Sequence, residues 1–189
     1  MNLMEAIGSR RSIRQFEGKA VPRELVEQVL EAAIKAPSAM NLQPWRFVVV
    51  EGSECRKLAQ VILSACQAMK ERGLKMEGVE RTAQSMVQAP VAVLVFNAEA
   101  NNPDSIVSMT DFHQQSIGAC VQTLLLAATD LGLASLWCGG PCLCVEEIGK
   151  WLGRTEPLAA VVSLGYPSEA PSARSRRPVA EITEWRWGA

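Results

Sequence analysis

Six arginines are bunched near the two ends of the chain. Arg10, Arg11 and Arg14 fall in "SRRSIRQF", and Arg174, Arg176 and Arg177 in "SARSRRP". Guanidinium groups this close in sequence repel one another unless an anion sits among them or water screens them. The Ser12 hydroxyl and neighbouring backbone N–H groups, set beside guanidinium forks, make a cradle for phosphate, whose oxygens accept bidentate arginine bonds. A phosphate monoester brings about −1.5 to −2 charges near neutral pH, which offsets the crowding. Taken alone, each cluster reads more readily as a solvated basic turn.

A second stretch, "PSAMNLQPW", carries Ser38, Asn41 and Gln43 between Pro37 and Pro44. Hydroxyl and amide side chains offer donors and acceptors to a flat heterocycle, and the flanking prolines reduce the entropy lost on ordering the loop. The simpler reading is a plain loop leading into a core Trp45. In "WCGGP", Gly139 and Gly140 allow a ligand close to the backbone or form a tight turn. Cys138, Cys142 and Cys144 follow a C-x3-C-x-C spacing that departs from the paired C-x2-C of metal sites. They are read as small buried hydrophobes, and no metal site is expected. His113, the one histidine, opens a helical segment and is expected at the surface or in a capping role.

The elements that must position these groups follow from periodicity. Asn2 caps a short helix to about Gly8, Pro22 opens a helix that Pro37 ends, and "WRFVVVEG" is a strand. Ser53 is expected to cap a further helix. A polar stretch, "KERGLKMEGVERTAQ", then leads to a helical turn before Pro90. The continuous apolar run "VAVLVFN" implies a strand buried on both faces. A helix is expected from about Ser105 to Leu131, then a short strand in "LASLWC", a helix in "VEEIGKWLG" and a core strand in "LAAVVSLG". The irregular order of helices and strands favours α+β. The last twenty or so residues are polar yet end with Trp185 and Trp187, which suits an arm that docks on something.

The chain has 189 residues, net charge −1 and 48% hydrophobic residues, the profile of one folded domain spanning residues 1–189. The near-zero net charge argues against a nucleic-acid partner despite the two basic clusters. No apolar run reaches membrane-spanning length, so no membrane association is expected. The N-terminus lacks a signal-peptide pattern, and a cytoplasmic location with free thiols is expected.

Four segments in this order, "SRRSIRQF", "APSAMNLQPWRFVVV", "LLLAATDLGLASLWCGGP" and "LGYPSEAPSARSRRPVAEI", resemble the nitroreductase family of flavoproteins. The resemblance implies an α+β fold with a central mixed sheet flanked by helices. It also implies a homodimer in which the arm from about residue 170 to 189 is exchanged between subunits. FMN is the implied cofactor, with NADH or NADPH as electron donor and a small electron-poor acceptor, such as a nitroaromatic or quinone, reduced in a second half-reaction. Arg10, Arg11, Ser12, Arg174 and Arg176 are then assigned to the phosphate and ribityl chain. Arg14 is assigned to the pyrimidine end, where a fixed cation stabilises the charge that appears on reduction. Pro37, Ser38, Ala39 and Asn41 would contact the flavin from the other subunit, with Gln43 a weaker candidate. Trp137, Gly139 and Gly140 would run along the far edge of the ring. Alternatives are a specialised member of the same family, acting in dehalogenation or cofactor biosynthesis, and a flavin- or nucleotide-binding protein without turnover.

Overall fold

The strand Val91–Asn97 shows how the layers are built. Val91, Val93 and Val95 point to one side and Ala92, Leu94 and Phe96 to the other, and every residue of the strand is buried. Alternating side chains on a strand that is apolar throughout must be covered on both faces. A computed structural model, describing residues 1–100, 102 and 110–188, shows this arrangement.

Four strands, β1 (Trp45–Glu51), β2 (Val91–Asn97), β3 (Ala134–Cys138) and β4 (Leu158–Gly165), form one sheet in the order β1-β2-β4-β3. Helices α2 (Arg23–Ala33) and α5 (Thr110–Asp130) cover the face that carries Val91, Val93 and Val95. Helices α3 (Ser53–Glu71), α4 (Glu77–Gln88) and α6 (Val145–Leu152) cover the face that carries Leu94 and Phe96. Two short helices, α1 (Leu3–Ser9) and α7 (Val179–Ile182), lie near the ends.

The α+β class holds, and the sheet refines the expected mixed pairing. All hydrogen-bonded neighbours are antiparallel. The pair α3 and α4 returns the chain to the end of the sheet where β1 finished, so β2 runs back alongside β1. β2 and β3 do share a direction, but β4 lies between them. The parallel component among the described residues is an isolated bridge between Ser12 and Ser135 at the outer edge of β3.

Several local expectations are met. The Asn2 side chain accepts the Glu5 N–H while the Glu5 carboxylate accepts the Asn2 N–H, a reciprocal cap of α1. Others are corrected. Gly52, not Ser53, occupies the cap position of α3, and Ser53 is its first helical residue. The polar stretch after α3 forms α4 over twelve residues, because Val79, Ala83 and Met86 recur on one side and are buried. The expected helix start near Ser105 lies outside the described residues. His113 is not at the surface but 1% exposed. It stands three, four and seven positions before the buried Ser116, Ile117 and Cys120, at the head of the α5 stripe. Among the described residues neither ring nitrogen has a hydrogen-bond partner. No described helix is long and apolar enough to cross a membrane.

Candidate functional site

The segment from residue 10 to 17 is extended and stitched to the outer edge of the sheet. Ile13 N–H donates to the Ser135 carbonyl at 3.0 Å, beside the Ser12–Ser135 bridge. Further along, Glu17 N–H donates to the Tyr166 carbonyl at 2.9 Å and Ser168 N–H to the Gln15 carbonyl at 3.1 Å. Ala134 opposes Gly165 in the β3–β4 ladder, so the start of β3 and the chain leaving β4 are neighbours. One extended segment can therefore bind both. Gly165 permits the close approach: a Cβ there would sit 2.6 Å from Pro90 Cδ and 2.9 Å from Phe16 Cδ1.

This stitching brings the two arginine clusters together. Arg10, Arg11, Ser12, Arg14, Arg174 and Arg176 line one cavity of about 220 Å³, with Pro171, Ser172 and Ala173 completing the wall. Among the described residues none of these five guanidinium groups forms an ion pair. Their hydrogen bonds go to backbone carbonyls. Arg11 Nη1 donates to the carbonyls of Gly8 and Arg10, both at 2.8 Å, and Arg176 Nη1 to those of Arg174 and Ser175, both at 3.2 Å. Five unpaired cations around a small cavity are a site for a multiply charged anion. Arg177, the sixth arginine of the two clusters, is not part of the lining.

The loop carrying Pro37, Ser38, Ala39 and Asn41 does not reach this cavity within the protomer. It lies on α5, where Ala39 N–H donates to Ser116 Oγ at 3.1 Å. Met40, Asn41 and Gln43 have positive φ values of 49°, 54° and 50°. A left-handed backbone at non-glycine residues is costly and persists only where the surroundings over-determine it. The restraints are visible. Ser38 Oγ accepts the Gln43 N–H at 3.0 Å, and the Ser38 carbonyl accepts the Asn41 N–H at 3.0 Å. Met40 projects into solvent.

Trp137 is 42% exposed on β3, and a Cβ at Gly139 would meet open space, which leaves both free to face a ligand. Gly140 has a packing role as well. A Cβ there would come within 3.1 Å of Val79 Cα, so this glycine lets α4 approach the turn. Cys138 is buried, its thiol pushed up to about 11 by burial, with the Ser163 hydroxyl and the Arg14 charge pulling weakly the other way. A protonated, enclosed thiol is a poor nucleophile.

Sequence reasoning missed two contributors, Ser116 and Glu169. Ser116 carried a readable signal in its place on the α5 stripe. Glu169 carried none, because its role is a contact with backbone 154 and 155 residues earlier.

The sequence model of the nitroreductase family matches residues 7–166. A protein of Methanothermobacter thermautotrophicus, provisionally named an NADH dehydrogenase/NAD(P)H nitroreductase, is 33% identical over 178 residues, covering 92% of this chain and 82% of its own. Iodotyrosine deiodinase 1 of Mus musculus is 30% identical over 87% of this chain and 61% of its own length. A solved structure from Desulfovibrio desulfuricans, provisionally called a nitroreductase and determined in complex with FMN, superposes with a TM-score of 0.78 at 30% identity. That match covers 100% of this chain and 99% of the other.

Proposed function

Because the chain belongs to the nitroreductase family, we propose that its arginine-lined cavity holds the phosphate of FMN and that it reduces a small electron-poor acceptor at the expense of NAD(P)H. It is an NAD(P)H-dependent flavin oxidoreductase. The observation that carries the site assignment is the meeting of two distant, unpaired arginine clusters in one cavity. The donor set suits a phosphate monoester: five guanidinium groups and the Ser12 hydroxyl line the cavity.

FMN, when bound, supplies the two-electron chemistry that links the nicotinamide to the acceptor. The chain supplies the placement. Arg10, Arg11, Ser12, Arg174 and Arg176 hold the phosphate and the sugar-alcohol chain. Arg14 sets a fixed positive charge beside the ring, where it favours electron gain without reorganisation. Trp137 and Gly139 lie along the ring edge. The strained loop with Pro37, Ser38, Ala39 and Asn41 reaches the ring of a second copy, since it lies apart from the cavity of its own chain. The protein acts as a homodimer with the arm from about residue 170 exchanged. Donor and acceptor use the same open face in turn, the donor leaving before a nitroaromatic or quinone enters.

The likeness to the mouse deiodinase supports a second reading, a dedicated reductive dehalogenation at the same flavin. Steady-state rates with a nitroaromatic, a quinone and iodotyrosine as acceptors separate the two.

The test is spectroscopic. The purified protein is expected to be yellow, to carry one FMN per chain and to bleach when NADH or NADPH is added without oxygen. Charge-assisted bonds contribute about 1.5–3 kcal/mol each, so R174A combined with R176A should weaken FMN by about 100-fold or more. Full FMN content in that double variant would overturn the two-cluster site, and a wild-type chain that takes up no flavin would overturn the whole reading.

A further inference from the structure

The backbone ladder between the segment at residues 15–17 and the chain leaving β4 stops at Ser168. Pro171, three residues further on, has no N–H with which to resume it. Beyond that point the two strands that carry the arginines must still be held at a fixed spacing, against the repulsion of their own charges. One side chain spans them there. Glu169 Oε1 accepts the backbone N–H of Arg14 at 2.5 Å and of Gln15 at 3.1 Å. The carboxylate pairs with no cationic side chain among the described residues, so its bonding is committed to the backbone of the other segment.

Its location fits that role. Glu169 is absent from the lining of the arginine cavity. It lines a neighbouring cavity of about 440 Å³ that shares Arg10, Arg11 and Pro171 with the first. A carboxylate pointing into the cradle would compete with an incoming anion. Behind the arginine wall, it ties the wall together and lowers the repulsion among the guanidinium groups before a ligand arrives. The two amides it accepts belong to Arg14 and to the residue after it, so the same contact fixes the backbone from which the Arg14 side chain departs.

We infer that Glu169 is a positioning residue of the anion cradle, setting the spacing of the two arginine segments through the amides of Arg14 and Gln15. The inference rests on the FMN reading above only in its choice of probe. The experiment compares the wild-type chain with E169A and E169Q, titrating each with FMN and with riboflavin, which lacks the phosphate. Amide exchange at Arg14 and Gln15 is followed in parallel.

The expected result has three parts. E169A loses FMN affinity by about tenfold or more, the scale of one lost charge-assisted bond, while riboflavin affinity is nearly unchanged. E169Q, whose amide oxygen still accepts the two N–H bonds, keeps most of the FMN preference. Exchange at the two amides accelerates in E169A. Equal loss of both flavins in E169A would make Glu169 a general structural residue and overturn the inference. A rise in FMN affinity in both variants would make it a mere opposing charge, with the same consequence. If the wild-type chain does not prefer FMN to riboflavin, the cofactor reading fails, and amide exchange alone judges the tie: faster exchange in E169A supports it, unchanged exchange overturns it.

Discussion

Cys138 illustrates how a residue's type says less than its surroundings. Its place beside Gly139 and Gly140, which the family resemblance sets near a flavin, suggests a redox-sensitive thiol, yet the structure buries it and raises its ionisation to about 11. Cys55 is likewise pushed up to about 11, and Cys120 and Cys144 to about 12, burial being the main cause in each. All six cysteines are free thiols, five of them buried. An unfolded thiol ionises near 8.5, so the folded chain holds these protons over a range where the unfolded chain releases them. That contribution to stability is fully present below about pH 8.5 and is lost as pH rises toward the folded values of about 11 to 12. Two outcomes are expected. Alkylation of Cys138 at about pH 8 proceeds only on unfolding, and the melting temperature falls above about pH 9, less steeply in C138A. Rapid native labelling of Cys138 would contradict both. The sequence signalled the burial of Cys138 and Cys144 correctly, whereas Cys142 is half-buried. It could not signal a buried His113, because the polar neighbours Asp111, Gln114 and Gln115 masked the head of an apolar stripe that becomes evident only when the helix is packed.

Elements were legible where a pattern had one explanation. The unbroken "VAVLVFN" run implied burial on both faces and received it, and the Asn2 cap was correct because a capping box is a local bonding rule. α4 was under-read, since charged residues dilute its stripe and its apolar side shows only against α3. Contact between elements was not legible at all, and Gly165 is the clearest case. Its backbone lies against Pro90 and Phe16 so closely that a methyl group there must displace one of them. G165A is expected to cost about 1–3 kcal/mol, the range of overpacked cores, read as a lower midpoint in urea unfolding. Because Phe16 belongs to the segment that carries Arg10 to Arg14, flavin affinity should fall with it. An unchanged midpoint would mean that the sheet edge yields freely, and the stitching described above would lose its rigidity.

At the scale of the whole molecule, the end of the arm beyond Arg176 and the strained loop both lie outside the lining of the protomer's own cavity. Residues 171–188 are exposed apart from Thr183, and Trp185 and Trp187, 64% and 81% exposed, stack on each other at 5.3 Å and on no other aromatic ring among the described residues. Apolar rings are left in water only at a cost that burial against a second copy removes. A chain ending at Arg177 keeps every arginine of the cradle and all four strands. It is expected to run at half the mass of the full chain by light scattering and to lose flavin turnover. A truncated chain that stays dimeric and active would overturn the exchanged arm. The amino-acid sequence by itself determined the α+β class, the buried sheet and the two clusters of like charge, because periodicity and charge act over neighbouring residues. Only the tertiary structure decided that the clusters meet, that Glu169 ties them and that the proline-bracketed loop lies elsewhere. Those outcomes depend on which strands become neighbours, and that is settled by packing between residues far apart in the chain.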